Sequence, residues 1–133
     1  MVFNAFMDKL CRMVFLKESV ELPEKYVLGF STTVPNASGG NITEPASGSG
    51  YTRIELTDLT TDGDGIAYNS KEIDCGEAVT DWGTLTWCVL YDGDGTPLSA
   101  GQMTKAITVD AGETLKLKVG NVRLYFGEAK VNA

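Results

Sequence analysis

Asp81-Trp82-Gly83-Thr84-Leu85-Thr86-Trp87-Cys88-Val89-Leu90-Tyr91-Asp92-Gly93-Asp94-Gly95 is where the sequence is richest in extended-favouring apolar residues. A Trp-Gly corner leads in and an Asp-Gly turn leads out. The period-two rule puts Leu85, Trp87, Val89 and Tyr91 on one face. Thr84, Thr86, Cys88 and Leu90 fall on the other. That second face is too apolar for open water, so the strand is expected to be central and covered on both sides.

Around this strand the chain has 133 residues, enough for a single domain with its own core. Fifteen glycines, many of them in Asp-Gly or Gly-Gly pairs, point to a turn-rich β protein. The net charge of −7 argues against a nucleic-acid or anionic-membrane partner, since both need a basic face. No run approaches the ~20 apolar residues of a membrane span. Asp8, Lys9 and Arg12 interrupt the N-terminal apolar run, so no secretory layout is present. Synthesis and folding in a reducing cytosol are expected.

The chain contains no histidine. That removes Ser-His and Cys-His nucleophile pairs and imidazole metal sites. Cys11, Cys75 and Cys88 form no CxxC pair, so no zinc site and no other cofactor is expected. Cys88 reads as a buried free thiol in a reducing compartment, with a Cys75–Cys88 bridge as the alternative. The acidic residues offer many carboxylate pairs, but none is singled out as a glycosidase pair. Trp82, Trp87, Tyr26, Phe30 and Phe126 are assigned to the core, which leaves few aromatics for a sugar platform. No catalytic residue is assigned.

Upstream, residues 3–18 predict an amphipathic helix. Asn4 is placed to cap its first turn. Phe3, Phe6, Met7, Leu10, Met13 and Val14 make one apolar stripe, widened by Phe15 and Leu16. The stripe packs on the domain's own sheet or docks on a neighbouring subunit. Glu18 to Glu24 is a charged connector whose Pro23 ends the helical run, and residues 26–32 predict a strand in which Gly29 marks a bulge or a close neighbour. Residues 34–50 are rich in Pro, Asn, Ser and Gly and predict an exposed, partly mobile loop. Asn41-Ile42-Thr43 fits a glycosylation acceptor only by chance in a chain without an export signal.

Downstream, Tyr51 to Leu59 predicts a strand with Ile54 and Leu56 inward. Short strands follow at 66–69, 72–75, 97–101 and 103–109. Leu115, Leu117 and Val119 alternate against lysines, and Val122, Leu124 and Phe126 alternate inward. About eight short strands imply an antiparallel β-sandwich or jelly roll with one N-terminal helix. The segments 62–65 and 92–95, both Asp-Gly-Asp-Gly, invite a calcium reading. An EF-hand alignment puts Lys71 and Gly101 at the twelfth position, where a bidentate Glu is needed, so hairpin turns fit better. Arg53 is expected to pair with a carboxylate, with Asp81 first choice, tying the loop base to the central strand. A solvated strand-edge arginine is the alternative.

Several landmarks occur in order: the helix from Asn4 to Phe15, the strand 26–32, and Asn41-Ile42-Thr43-Glu44-Pro45. Then come Gly50-Tyr51-Thr52-Arg53, Asn69, Thr80-Asp81-Trp82-Gly83-Thr84, Tyr91-Asp92 and Val109-Asp110-Ala111-Gly112-Glu113-Thr114-Leu115. Together they resemble the small phage structural proteins known as phage tail fibre proteins, over roughly residues 4 to 126. The stretch from Cys11 to Leu22 is longer and more apolar than the usual connector. The Asp-Gly-Asp-Gly turns are not part of the pattern. The resemblance implies a non-enzymatic virion protein, associated with a tail or fibre, a homo-oligomer packing against other virion proteins. A capsid decoration protein is the runner-up. A carbohydrate- or receptor-binding fibre-tip module and a polysaccharide-degrading enzyme are the rivals from other classes. Phe6, Leu10 and Met13 of the helix, with Asn36, Asn41 and Ser49 of the loop, are the candidate partner contacts. Arg53, Asp81, Trp82 and Trp87 are the candidate structural residues.

Overall fold

A computed structural model describes residues 1–126. It is mainly β, with antiparallel sheets and one short N-terminal helix, arranged as a β-sandwich. The helix α1 spans Asn4–Val14. The strands are β1 Tyr26–Ser31, β2 Ile54–Glu55, β3 Leu59–Thr61, β4 Ala67–Asn69 and β5 Ile73–Glu77. After them come β6 Gly83–Asp92, β7 Pro97–Val109, β8 Thr114–Leu117 and β9 Arg123–Leu124. The main sheet has the order β2-β1-β6-β7, and β3-β4-β9 and β5-β8 form two smaller sheets.

The first core lies between the main sheet and the smaller ones. Leu28, Phe30, Leu85, Leu90 and Val109 meet Cys75, Leu115, Leu117 and Val122 there, together with Trp82. The second core lies on the opposite face of the main sheet. Val89, Tyr91 and Ala100 are covered by Phe3, with Val27, Ile42 and Trp87 packed against them. The strand β6 is therefore central and apolar on both faces, as its composition requires.

Its alternation is not continuous. Leu85 shares the first core with Cys88 and Leu90, whereas Trp87, Val89 and Tyr91 face the second. The ladder explains the switch. Leu85 pairs with Ile107 and Trp87 with Gln102, so four residues of β7, Met103 to Ala106, stand opposite Thr86 alone. This bulge breaks the period of two and divides the strand's apolar residues between two cores.

The helix is shorter than its apolar stripe. Phe3, not Asn4, occupies the cap position, and no side chain caps it. The Asn4 amide, one of the unpaired donors of the first turn, donates to the Ala37 carbonyl at 3.0 Å. Phe15 and Leu16 lie beyond the last turn and are exposed. Lys17 then takes φ +55°, a left-handed backbone that costs a lysine about 1 kcal/mol. Ahead of the helix, Val2 bridges Ser99, and hydrogen bonds Ala100 N–H to Met1 O and Phe3 N–H to Leu98 O flank it. Residues 1–3 thus extend the main sheet along β7.

Other expectations change in detail. The predicted strand from Tyr51 to Leu59 is two short strands, with Leu56 buried between them. Residues 97–109 form one strand, not two. Val119 and Phe126 are exposed, because the chain turns at Gly120-Asn121 and β9 ends at Leu124. All three cysteines are free, and burial pushes the Cys75 thiol up to about 11.

Leu85 is fully buried at the bulge. Leu85→Ala is expected to lower the unfolding free energy by about 3 kcal/mol in urea denaturation. An unchanged midpoint would contradict its place in the core.

Candidate functional site

The loop from Val34 to Gly50 is built, not slack. Asn36 Oδ1 accepts hydrogen bonds from the Ser38 amide and hydroxyl and from the Gly40 amide. Asn41 stands at φ +59° and donates from its side chain to the Val34 carbonyl. Thr32 N–H donates to Thr43 O at 2.9 Å, and Thr43 N–H donates to Ser31 Oγ at 3.0 Å. The returning limb of the loop is therefore stitched to the end of β1. The polar residues of this segment, expected to be exposed and partly mobile, make hydrogen bonds to one another and to the sheet.

Glu44 closes the clasp. Its carboxylate accepts the Tyr51 hydroxyl at 2.7 Å and the Tyr91 hydroxyl at 3.0 Å. Arg53 adds Nη2 at 2.6 Å and Nε at 3.1 and 3.2 Å, a forked pair. The Arg53 guanidinium also lies 3.7 Å from the centroid of the Tyr91 ring. Tyr51 Oη in turn accepts the Phe30 amide at 2.9 Å, beyond the short reach of β2. A side chain on Gly29 would meet Tyr51 Oη and the Tyr91 ring at 2.8 Å, which is why this strand position carries none.

Burial works to raise the Glu44 carboxyl. The hydrogen bonds from Arg53, Tyr51 and Tyr91 outweigh it and hold the group below its ordinary 4.5. Burial, then Glu44, pushes the Tyr51 hydroxyl well above its ordinary range, and the same two causes raise Tyr91. The carboxylate is thus ionised and fully engaged at neutral pH, and both phenols keep their protons. Such an arrangement clamps; it is not poised to move a proton.

Arg53 does not reach Asp81, and that expectation is corrected. Glu44 is the nearer carboxylate, and the Asp81 side chain accepts the Ala111 amide at 2.7 Å instead. Arg53 does tie the loop to the central strand, through Glu44 and Tyr91. Trp82 is buried; its indole N–H donates to Ser49 O at 2.9 Å and its ring meets Tyr51 edge-on at 5.6 Å. Trp87 is half-buried against the second core.

Among the partner-contact candidates, Phe6 is buried within its own domain, and Leu10 and Met13 are half-buried. Ser49 is sealed at 1% exposure, so its side chain offers no free surface. Asn36 and Asn41 are exposed but shape the loop. Three consecutive apolar residues at the helix end are open to a partner: Val14, Phe15 and Leu16 are 57%, 75% and 66% exposed, and Val34, Val79, Val119, Tyr125 and Phe126 are exposed elsewhere. The sequence signal for them was the surplus width of the apolar arc. Glu44 and Tyr51 were visible only as letters in landmarks.

Asp62 and Asp92 each turn a carboxylate oxygen onto the amides two and four residues ahead, which accounts for both Asp-Gly-Asp-Gly segments as turns. Among the described residues, no group of three or more acidic or cysteine side chains is placed to hold a metal ion. No described helix is long and apolar enough to cross a membrane.

A family model described as podophage GP4 fiber I protein gp80 matches residues 2–125. The chain belongs to this family. The gp80 family is one of phage fibre structural proteins, so the resemblance to phage fibre components holds, and the protein is virion-associated. No curated protein matches the chain. In this gp80 family member, the Gly-Tyr-x-Arg element and the loop glutamate are two halves of one clasp.

Because folding lowers the Glu44 value, its contribution to stability is full above pH 4.5 and is lost as the pH falls through the lowered value. Glu44→Gln is expected to cost about 2 kcal/mol at pH 7 and to flatten the acid limb of the stability profile. Parallel profiles for the two proteins in urea titrations from pH 7 to pH 3 would refute the clasp.

Proposed function

We propose that this protein is a non-enzymatic component of the phage tail or its fibres, a homo-oligomer acting by packing against other virion proteins. The observation that carries this reading is the pairing of a closed polar centre with an open apolar helix end. Glu44, Tyr51, Arg53 and Tyr91 satisfy one another. Val14, Phe15 and Leu16 have no such cover. Membership of a fibre family supports the tail assignment. The commitment of Trp82 and Tyr91 to the core disfavours a sugar platform at a fibre tip.

An antibody to this chain, used for immunogold labelling of intact particles, is expected to place gold on the tail or its fibres. Gold confined to the head would favour a decoration role and overturn the tail assignment. Particles assembled with Phe15→Asp/Leu16→Asp protein are expected to carry less of the chain, since charge at the helix end opposes burial. Unchanged incorporation would remove the helix end from the packing surface.

A further inference from the structure

We propose that copies of this chain assemble by exchanging N-terminal arms: residues 1–16 of one copy seat on β7 and the second core of the next. The proposal rests on the packing role above and names the partner, a second copy of this chain.

The arm is a detachable plug. It contributes Phe3 and Phe6 to the interior, the Val2–Ser99 bridge, and the hydrogen bond from Asn4 to Ala37. The receiving surface, formed by β7 and the loop, is the same in every copy, so an arm from a neighbour recovers each of these contacts at no cost in complementarity. The tether behind it is held by packing, with residues 21–25 lining a groove beside Lys9, Asp92 and Asp94. Residues 19–25 make no hydrogen bond to other described residues. The tether starts at left-handed Lys17, a conformation that a straightened path would relieve. Nine residues, 17–25, extend over roughly 30 Å, comparable to the width of a domain this size. That length reaches an adjacent copy.

Charge fits the same occupant. Residues 1–16 carry Lys9 and Arg12 against Asp8, a net +1, which leaves −8 on the remainder of a chain at −7. Lys9 lines a groove with Asp92 and Asp94 of the turn before β7 and with Glu21, Glu24 and Lys25 of the tether. A basic arm laid across the acidic rim of a neighbour makes the charge contact that the rim otherwise makes with its own arm, so exchange loses none of it. The exposed Val14, Phe15 and Leu16 sit where arm joins tether, so crossing arms bring them to the junction between copies. Phe6, buried in its own domain when the arm folds back, becomes a contact between subunits.

The Val2–Ser99 pair supplies the test. The hydrogen bonds on either side leave it a non-hydrogen-bonded antiparallel pair, whose close Cβ atoms suit a disulfide. Full-length Val2→Cys and Ser99→Cys chains are mixed unfolded, refolded together and oxidised. The link is identified by peptide mass, which separates it from Cys11, Cys75 and Cys88. A covalent dimer joined between positions 2 and 99 is the expected product. The Val2→Cys/Ser99→Cys double variant reports whether the pair closes at all. Absence of the inter-chain link overturns the exchange, including the case where the double variant closes only within one chain at monomer mass. Particle labelling is independent of this result, so the virion role can stand if arm exchange falls.

Discussion

A single partly buried carboxylate, Glu44, is the constraint on which the architecture around the main sheet depends. Withdrawing a charge from water is costly unless the site supplies donors. Here it supplies three side chains from three places: Tyr51 after the loop, Arg53 two residues on, and Tyr91 from the central strand. The same donors fix the loop, orient Tyr91 over the second core, and let Tyr51 complete the hydrogen bonding of β1 at Phe30. Gly29 is the backbone cost of bringing these groups together, since any side chain there would collide with both tyrosines.

The other landmark residues of this sequence work in the same way, as joints between segments distant in sequence. Trp82 holds the carbonyl of Ser49, which also accepts the Val79 amide. Asp81 holds the amide of Ala111 in the turn before β8, and Gly112 N–H donates back to Ala78 O. Asn69, buried, donates to Lys71 O and Lys118 O and accepts the Val122 amide. Each joint satisfies backbone groups that short strands leave unpaired. This explains how a β-sandwich with several two- and three-residue strands keeps its layers in place.

The fold class and the centrality of β6 were legible because composition and alternation report burial directly. What alternation could not report was the bulge opposite Thr86, since Leu85 and Trp87 obey the same period until four β7 residues oppose one. The role of Arg53 was legible as a tie to the central strand; its partner was not. Choosing Glu44 over Asp81 needs the three-dimensional path of the loop. The order of that loop was hidden for a related reason: Asn, Ser, Thr and Gly mark a segment that cannot build an apolar core, yet they also supply its internal hydrogen bonds. Asn4 shows the converse error, a good capping residue that stands one place inside the helix, after Phe3 at the cap. The helix end was visible as excess apolar width, but only exposure shows that Phe15 and Leu16 lie outside the stripe that packs.

Hydrogen exchange on the intact protein and on Glu44→Gln tests most directly whether this carboxylate governs the loop. The amides to follow are Thr32 and Thr43, which join loop to sheet, and Val89 and Leu90 at the centre of β6. The clasp predicts that Thr32 and Thr43 exchange at least about tenfold faster in the variant, while Val89 and Leu90 keep their protection. Unchanged protection at Thr32 and Thr43 would show that the loop is held without Glu44 and would contradict the account.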